Sequence, residues 1–195
     1  MPNWCENKLS VWHDAESINK LEAAFEAGKP FETFMPIPDG LVIEKILEGV
    51  DEAEWDTIKK QQEELNLAKH GFKSWYDWCV ENWGTKWDAS AQIYVATKES
   101  EWIEVDFETA WGPPIGFYKH LESIGFKVRG MYYEPGSGFA GIYEDGQDKR
   151  WNDLSADNLD QHLIECFAIP IDDADGDGDG GDAGGDADGG GDGDE

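Results

Sequence analysis

The stretch that most constrains the fold is EWIEVDFETAWGPP, residues 101–114. Ile103, Val105, Phe107, Thr109 and Trp111 alternate with Glu104, Asp106, Glu108 and Ala110. Successive side chains of a strand point to opposite faces, so a period of two predicts a strand with one apolar and one acidic face. Gly112-Pro113-Pro114 stops it. The following PIGFYKHLESIG reads as a helix entered at a proline, with Ile115, Phe117, Tyr118, Leu121 and Ile124 on its buried side and Gly125 closing it. This strand is read as the middle of a sheet.

The rest of the chain supplies neighbours for it. Residues 3–12 alternate as a strand, with Cys5, Asn7, Leu9 and Val11 on one face and Trp4, Glu6, Lys8 and Trp12 on the other. Asp14 caps a helix whose apolar residues Ile18, Leu21, Ala24 and Phe25 form one stripe, ended by Gly28 and Pro30. FETFMPIPDG is a proline-punctuated connection. Residues 41–81 or so form a helical insertion. In it Trp55, Ile58, Gln62 and Leu65 predict one amphipathic helix, and Trp75, Trp78 and Cys79 a second. NWGTKWD, residues 82–88, turns the chain into a strand reaching about Thr97, with Ile93 and Val95 inward, and Lys98-Glu99-Ser100 is a hairpin turn. Residues 126–134 give a further strand, which Pro135-Gly136-Ser137-Gly138 bends into another at 139–143. Asp145-Gly146 is a turn signal, and Ser155 is expected to cap a last helix carrying Leu159, Leu163 and Phe167.

The kernel of this order is βαββαβ, the split ferredoxin-like arrangement. The expected fold is an α+β ferredoxin-like sandwich, residues 1–168, with a helical insertion, an extra C-terminal strand and helix, and a disordered acidic tail at 169–195. The first and third strands lie centrally, the fourth beside the first and the second beside the third. Right-handed crossovers put both helices on one face. The other face then shows Glu6, Lys8, Glu104, Asp106, Glu108, Lys127 and Arg129, expected to be a solvated surface of cross-strand charge pairs.

Antiparallel neighbours bring four distant motifs to one rim of this sheet. They are Asn3-Trp4-Cys5-Glu6-Asn7, Trp83-Gly84-Thr85-Lys86-Trp87, the run from Thr109 to Pro114, and Tyr133-Glu134-Pro135-Gly136. Packing accounts for them if Trp83, Trp87 and Trp111 plug the open end of the sandwich and Lys86 lies over a tryptophan face. Asn7 and Glu134 would then satisfy each other or nearby backbone groups. A ligand pocket would instead use Trp4, Trp83, Trp87 and Trp111 for stacking, Lys86 for an anion, and Asn7 and Glu134 for polar recognition.

These motifs also carry a likeness. NWC-x-N, NWGTKWD, F-x-TAW-x-PP and Y-x-EPG-x-x-F-x-G, over roughly residues 1–143, resemble the YubB-type ferredoxin-like proteins of plasmids and bacteriophages. The resemblance implies the fold, a mobile-element origin and the host cytoplasm, and it implies no activity. The long insertion and the Asp/Gly tail depart from that pattern.

Charge narrows the function. The chain has 43 acids and 15 bases, a formal charge of −28. From Asp172 onward there are eleven acids and no base, which leaves −17 on residues 1–171. A body that acidic disfavours a protein that tracks phosphates, which needs a basic stripe. It favours solubility, a basic partner or imitation of a polyanion, with a salt-adapted protein as the plain alternative.

Chemistry finds little purchase elsewhere. Cys5, Cys79 and Cys166 form no CxxC pair and suit a reduced cytosol. His13, His70, His120 and His162 have no zinc spacing, and no nucleophile elbow, P-loop or dinucleotide fingerprint is present. No catalytic residue and no cofactor are expected. The N-terminus has no signal segment and no stretch reaches membrane-spanning length, so a soluble intracellular protein is expected. In the tail, Asp175, Asp177, Asp179 and Asp186 fit part of a calcium loop, but Asp/Gly repetition makes such matches freely, and weak cation condensation is the expectation.

Three function classes follow. The first is a non-enzymatic acidic protein of a mobile element that binds a host or defence protein, with DNA-like charge mimicry as one form. The second is a small-ligand binder or enzyme using the tryptophan-rich rim. The third is a single-strand nucleic-acid binder with an acidic regulatory tail, whose aromatics fit and whose charge does not.

Overall fold

The alternation in residues 101–114 becomes β3 (Trp102–Ala110), with Ile103, Val105, Phe107 and Thr109 buried and the residues between them half-exposed. The computed structural model describes residues 3–89, 94–99, 101–155 and 157–171, with only the backbone described for 94–99. Ile93, Ser100, the side chain of Val95 and the tail from Asp172, with its calcium-loop aspartates, lie outside what is described. One detail of the alternation fails. The strand ends at Ala110, which is buried, and Trp111 leaves the sheet with φ +72° and 56% of its surface exposed.

Among the described residues the sheet has six strands in the order β2-β3-β1-β4-β5-β6, every neighbouring pair antiparallel. They are β1 (Trp4–Trp12), β2 (Tyr94–Glu99), β3, β4 (Lys127–Glu134), β5 (Phe139–Glu144) and β6 (Gln147–Trp151). The first four in space are the ferredoxin-like kernel, with β1 and β3 central as expected. β2 already includes Lys98 and Glu99, which were expected in a turn.

Helices α1 (Ala15–Glu26) and α6 (Ile115–Ser123) cover one face. Leu9, Val11, Ile103, Val105, Phe107 and Val128 of the sheet meet Ile18, Leu21, Phe25, Phe117, Tyr118 and Leu121 of the helices in one core. Asp14 caps α1 by accepting the Glu16 and Ser17 amides. Ile124, expected on the buried side of α6, is 46% exposed because the helix has already ended at Ser123. Part of the proline-punctuated connection folds as α2 (Pro30–Phe34), whose Phe31 sits centrally with ring centroids 4.5 Å from Phe117 and 5.7 Å from Trp83.

The C-terminal part departs from expectation in three ways. Asp145 and Gly146, at φ +50° and +74°, make a two-residue hairpin turn that adds β6, a charged edge strand without an apolar row. The last helix, α7 (Gln161–Phe167), starts later than expected, and Asp160 rather than Ser155 caps it by accepting the His162 amide. Its segment packs on the face opposite α1 and α6, where Leu159, Leu163 and Ile169 cover Met131, Tyr133 and Ala140. That face is therefore covered over β4 and β5, and among the described residues its central strands β1 and β3 keep partly exposed charged side chains. There the expected charge pairing is seen, with Lys8 Nζ 2.7 Å from Asp106 Oδ2 directly across β1 and β3.

The insertion comprises α3 (Ile43–Leu47), a 3₁₀ turn at Glu52–Glu54, α4 (Trp55–His70) and α5 (Trp75–Asn82). Both expected helices are present, but the stripe of the first was misplaced. The buried residue of α4 is Asn66, while Trp55 and Leu65 are 43% and 63% exposed. Helix α5 joins the main core through Trp78 and Cys79. Its end meets the start of α6 backbone to backbone: a Cβ on Gly116 would collide with the Asn82 carbonyl.

Candidate functional site

The four rim motifs do converge. Trp111 N–H donates to the Asn3 carbonyl at 2.9 Å, and Trp4 pairs with Ala110 in register. Thr85 Oγ1 donates to the Ala110 carbonyl at 2.9 Å, and the Asn3 amide abuts Gly136 beside the Glu134 carboxylate.

The seven residues singled out there divide into two groups. Asn7, Trp83 and Glu134 are inside. Asn7 Nδ2 donates to the Cys5 carbonyl and to Thr109 Oγ1, both at 2.8 Å, and its Oδ1 accepts the Tyr118 hydroxyl at 3.3 Å. Glu134 accepts the Gly136 and Ser137 amides at 2.7 and 2.6 Å, holding the turn into β5. Asn7 and Glu134 thus satisfy separate partners. Trp83 is 2% exposed and donates its indole N–H to the Met35 carbonyl at 3.0 Å. Trp4, Trp87 and Trp111 are outside, with Lys86 half-buried beside them. Lys86 Nζ lies 4.4 Å from the Trp87 ring centroid and 5.2 Å from that of Tyr76, so its charge already faces two rings.

Most of NWGTKWD has a packing duty. Gly84, at φ +90°, lies where a Cβ would meet Ile115 N at 2.9 Å. Asp88 accepts the Phe31 and Glu32 amides at 2.9 Å each and caps α2, whose own N-cap Lys29 supplies no side-chain acceptor. Burial pushes the Asp88 carboxyl up, and these amides pull against it. Burial also pushes the Cys5 thiol far up and the Cys79 thiol up to about 12, so neither is held as a thiolate.

Next to the rim lies a cleft that sequence reasoning missed. It has a volume of about 450 Å³ and runs between α3, α4 and the start of α5. Trp55, Trp75 and Tyr76 supply aromatic walls, with Ile43 and Leu47 as the apolar floor. Glu44, Asp56 and Glu63 contribute carboxylates, and Lys59 the one cation among the lining residues. The Trp75 indole donates to Glu44 Oε1 at 3.3 Å, and its ring meets Tyr76 at 6.1 Å and 76°. Trp55 donates its indole N–H to the Val50 carbonyl at 3.1 Å. Two anchors set the walls. Trp75 N–H bonds the Leu41 carbonyl at 3.0 Å, and Asn66 Nδ2 bonds the Gly40 and Lys73 carbonyls at 2.8 and 3.0 Å. The missed signal was Trp55 together with Trp75-Tyr76 in an acidic segment whose buried helical position is polar. Tyr76 belongs to both cleft and rim, so the two surfaces are continuous.

The fold and surface together define an α+β protein of ferredoxin-like arrangement carrying an acidic, aromatic helical insertion. No protein-family model matches the chain, and no curated protein matches it. Among solved structures it is similar to protein api92 from Yersinia pseudotuberculosis, described under the family model DUF1281. The identity is 12%, over 77% of this chain and 98% of that one, with a TM-score of 0.45. The architecture rests on this chain's own strand pairing. Among the described residues, no helix is long and apolar enough to cross a membrane.

Proposed function

We propose that the protein is a non-enzymatic, acidic interaction protein that binds a basic protein partner. In the mobile-element setting implied by its motifs, that partner is a host or defence protein. The observation that carries this reading is where large apolar side chains are left exposed. Ile46, Trp55, Leu65, Leu67, Tyr76, Val80 and Trp87 lie in the insertion and the loop leaving it, and Trp4 and Trp111 lie on the adjoining rim. Scattered exposed apolar residues are ordinary, but concentration on one segment marks an interaction surface. Tryptophan and tyrosine are also the residues that anchor protein interfaces. Residues 41–81 carry ten acids against five bases, so the surface presents rings within a negative field.

The test is capture from host extract with the full chain and with a chain ending at Ile171. A basic protein should be retained at about 0.1 M salt and released towards about 1 M, as screening shortens from roughly 10 to 3 Å. A Trp87→Ala, Trp111→Ala double variant should retain less of it. Displacement by duplex DNA would favour the DNA-like form of the reading. Retention of nucleic acid instead of protein by the shortened chain would reject the reading.

A further inference from the structure

We infer that the cleft between α3, α4 and α5 receives an arginine side chain of the partner, an inference that rests on the chain being an acidic interaction protein. The cleft supplies two things at once, flat aromatic faces and unoccupied acceptors. Trp75 and Tyr76 stand nearly perpendicular, 76° apart, and make a corner; Trp55 lines the same space from α4. A cation held over such rings is attracted by their negative faces.

The acceptors are the second part. Among the described residues, Asp56 and Glu63 make no hydrogen bond or ion pair, and Glu44 takes only the Trp75 indole. Lys59 stands three residues after Asp56 and four before Glu63, the spacing at which helical neighbours pair, yet it is bonded to neither. Three carboxylates therefore face the cleft against one uncommitted ammonium. An anion or a nucleotide phosphate meets the wrong sign there.

Guanidinium fits better than ammonium. It is planar, stacks on aromatic faces, donates five N–H groups in a fixed fork and accepts none. A lysine ammonium is a compact, strongly hydrated point charge that can sit over a ring but cannot stack flat on it or bind a carboxylate with a planar fork. The cleft volume of about 450 Å³ is ample for such a side chain.

The experiment titrates the full chain, labelled with nitrogen-15, with three end-blocked pentapeptides, a central arginine, lysine or citrulline flanked by glycines. Trp55→Phe and Trp75→Phe identify the two indole N–H signals that report on the cleft. With the arginine peptide these two should shift and saturate. Replacing arginine by neutral citrulline should weaken binding roughly tenfold or more, the loss of charge-assisted hydrogen bonds. The lysine peptide should bind several-fold more weakly than the arginine peptide. Glu63→Gln should weaken the arginine peptide and Lys59→Ala tighten it, while Glu81→Gln, an exposed acid outside the cleft, should change nothing. Equal binding of citrulline or lysine, unsaturated shifts spread over all indoles, or indifference to Glu63→Gln would overturn the assignment. Capture of a basic host protein that survives Asp56→Asn with Glu63→Gln would overturn the arginine site and leave the interaction reading standing. Failure of the unaltered chain to capture one would remove that reading itself.

Discussion

The sandwich and the insertion treat the same kinds of residue in opposite ways. In the sandwich most aromatic rings turn inward, and the buried polar side chains Asn7, Thr109 and Glu134 each have hydrogen-bond partners. In the insertion, α4 spans sixteen residues and buries an asparagine, while Trp55, Leu65 and Leu67 face out. A helix gains most of its stability from packing an apolar face. The α4 helix forgoes much of that gain and is pinned by a few hydrogen bonds. The lesson is that stability is concentrated in the sandwich, which leaves the insertion's surface available for the recognition proposed above.

The sharpest break of this comparison is a pair of aromatic truncations. Phe31 is fully buried among Trp83, Phe107 and Phe117. Phe31→Ala should lower the unfolding free energy by about 3–5 kcal/mol, as large-to-small core changes do. Trp55→Ala forfeits only a partly exposed ring and one indole hydrogen bond, and should cost about 1 kcal/mol or less. Denaturant unfolding of both variants measures the difference. Similar losses at the two positions would mean that the insertion is core rather than recognition surface.

Asn66 tests the anchoring of α4. Asn66→Ala removes its bonds to the Gly40 and Lys73 carbonyls and to Gln62, leaving two partly covered acceptors without their buried donor. The expected cost is about 1–3 kcal/mol. Because α4 packs so little, the loss should be local. Hydrogen exchange should quicken along α4 and around the cleft while β1, β3 and β4 keep their protection. Uniform quickening across the sheet would merge the two regions into one cooperative unit.

The same contrast explains how much was legible beforehand. Strands β1 and β3 announce themselves because each has one buried and one wet face, and a period of two survives any change of detail. Once those strands are placed, antiparallel pairing forces the rim motifs together. The stripe of α4 was illegible because hydrophobicity cannot point to Asn66. Strand β6 was illegible because Gln147, Asp148, Lys149 and Arg150 have no apolar row, and only the Asp145-Gly146 turn hints at it. At the rim, alternation put Trp111 inward, but the backbone reverses one residue earlier. The cleft depends on how three helices meet, which no local pattern encodes.

Trp111 sharpens the comparison, since it is a rim residue held at some cost to stability. A left-handed backbone costs a residue with a Cβ about 1–2 kcal/mol, and Trp111 adopts φ +72° while burying less than half its surface. Trp111→Gly relieves that cost and gives back about 0.5–1 kcal/mol through the freer unfolded chain. Because the covered part of the ring is lost as well, at roughly 25 cal/mol per Å² of apolar surface, the backbone relief is offset and stability should not rise, while partner retention falls. A folded variant that is equally retentive would strip Trp111 of a recognition role.

The smallest effect belongs to the sandwich's wet face. Glu6 lies directly across from Glu108 on β1 and β3. Burial first and the Glu108 carboxylate second push the Glu6 carboxyl up, while Lys8 pulls it down. A raised value in the folded state means that folding favours the protonated form. The associated stability is full below the unfolded carboxylate value of about 4.3 and disappears as pH rises through the higher folded value. At neutral pH the ionised pair is therefore a liability, and Glu6→Gln should raise the melting temperature there. The gain should shrink towards pH 4, where the wild-type carboxyl takes up its proton, and added salt should reduce it at neutral pH by screening Glu108. Because Glu6 is largely exposed, the change should be smaller than those expected at Phe31 and Asn66. A gain that is equal at both pH values would trace to the amide's own contacts, and the repulsion across β1 and β3 would then have no energetic weight.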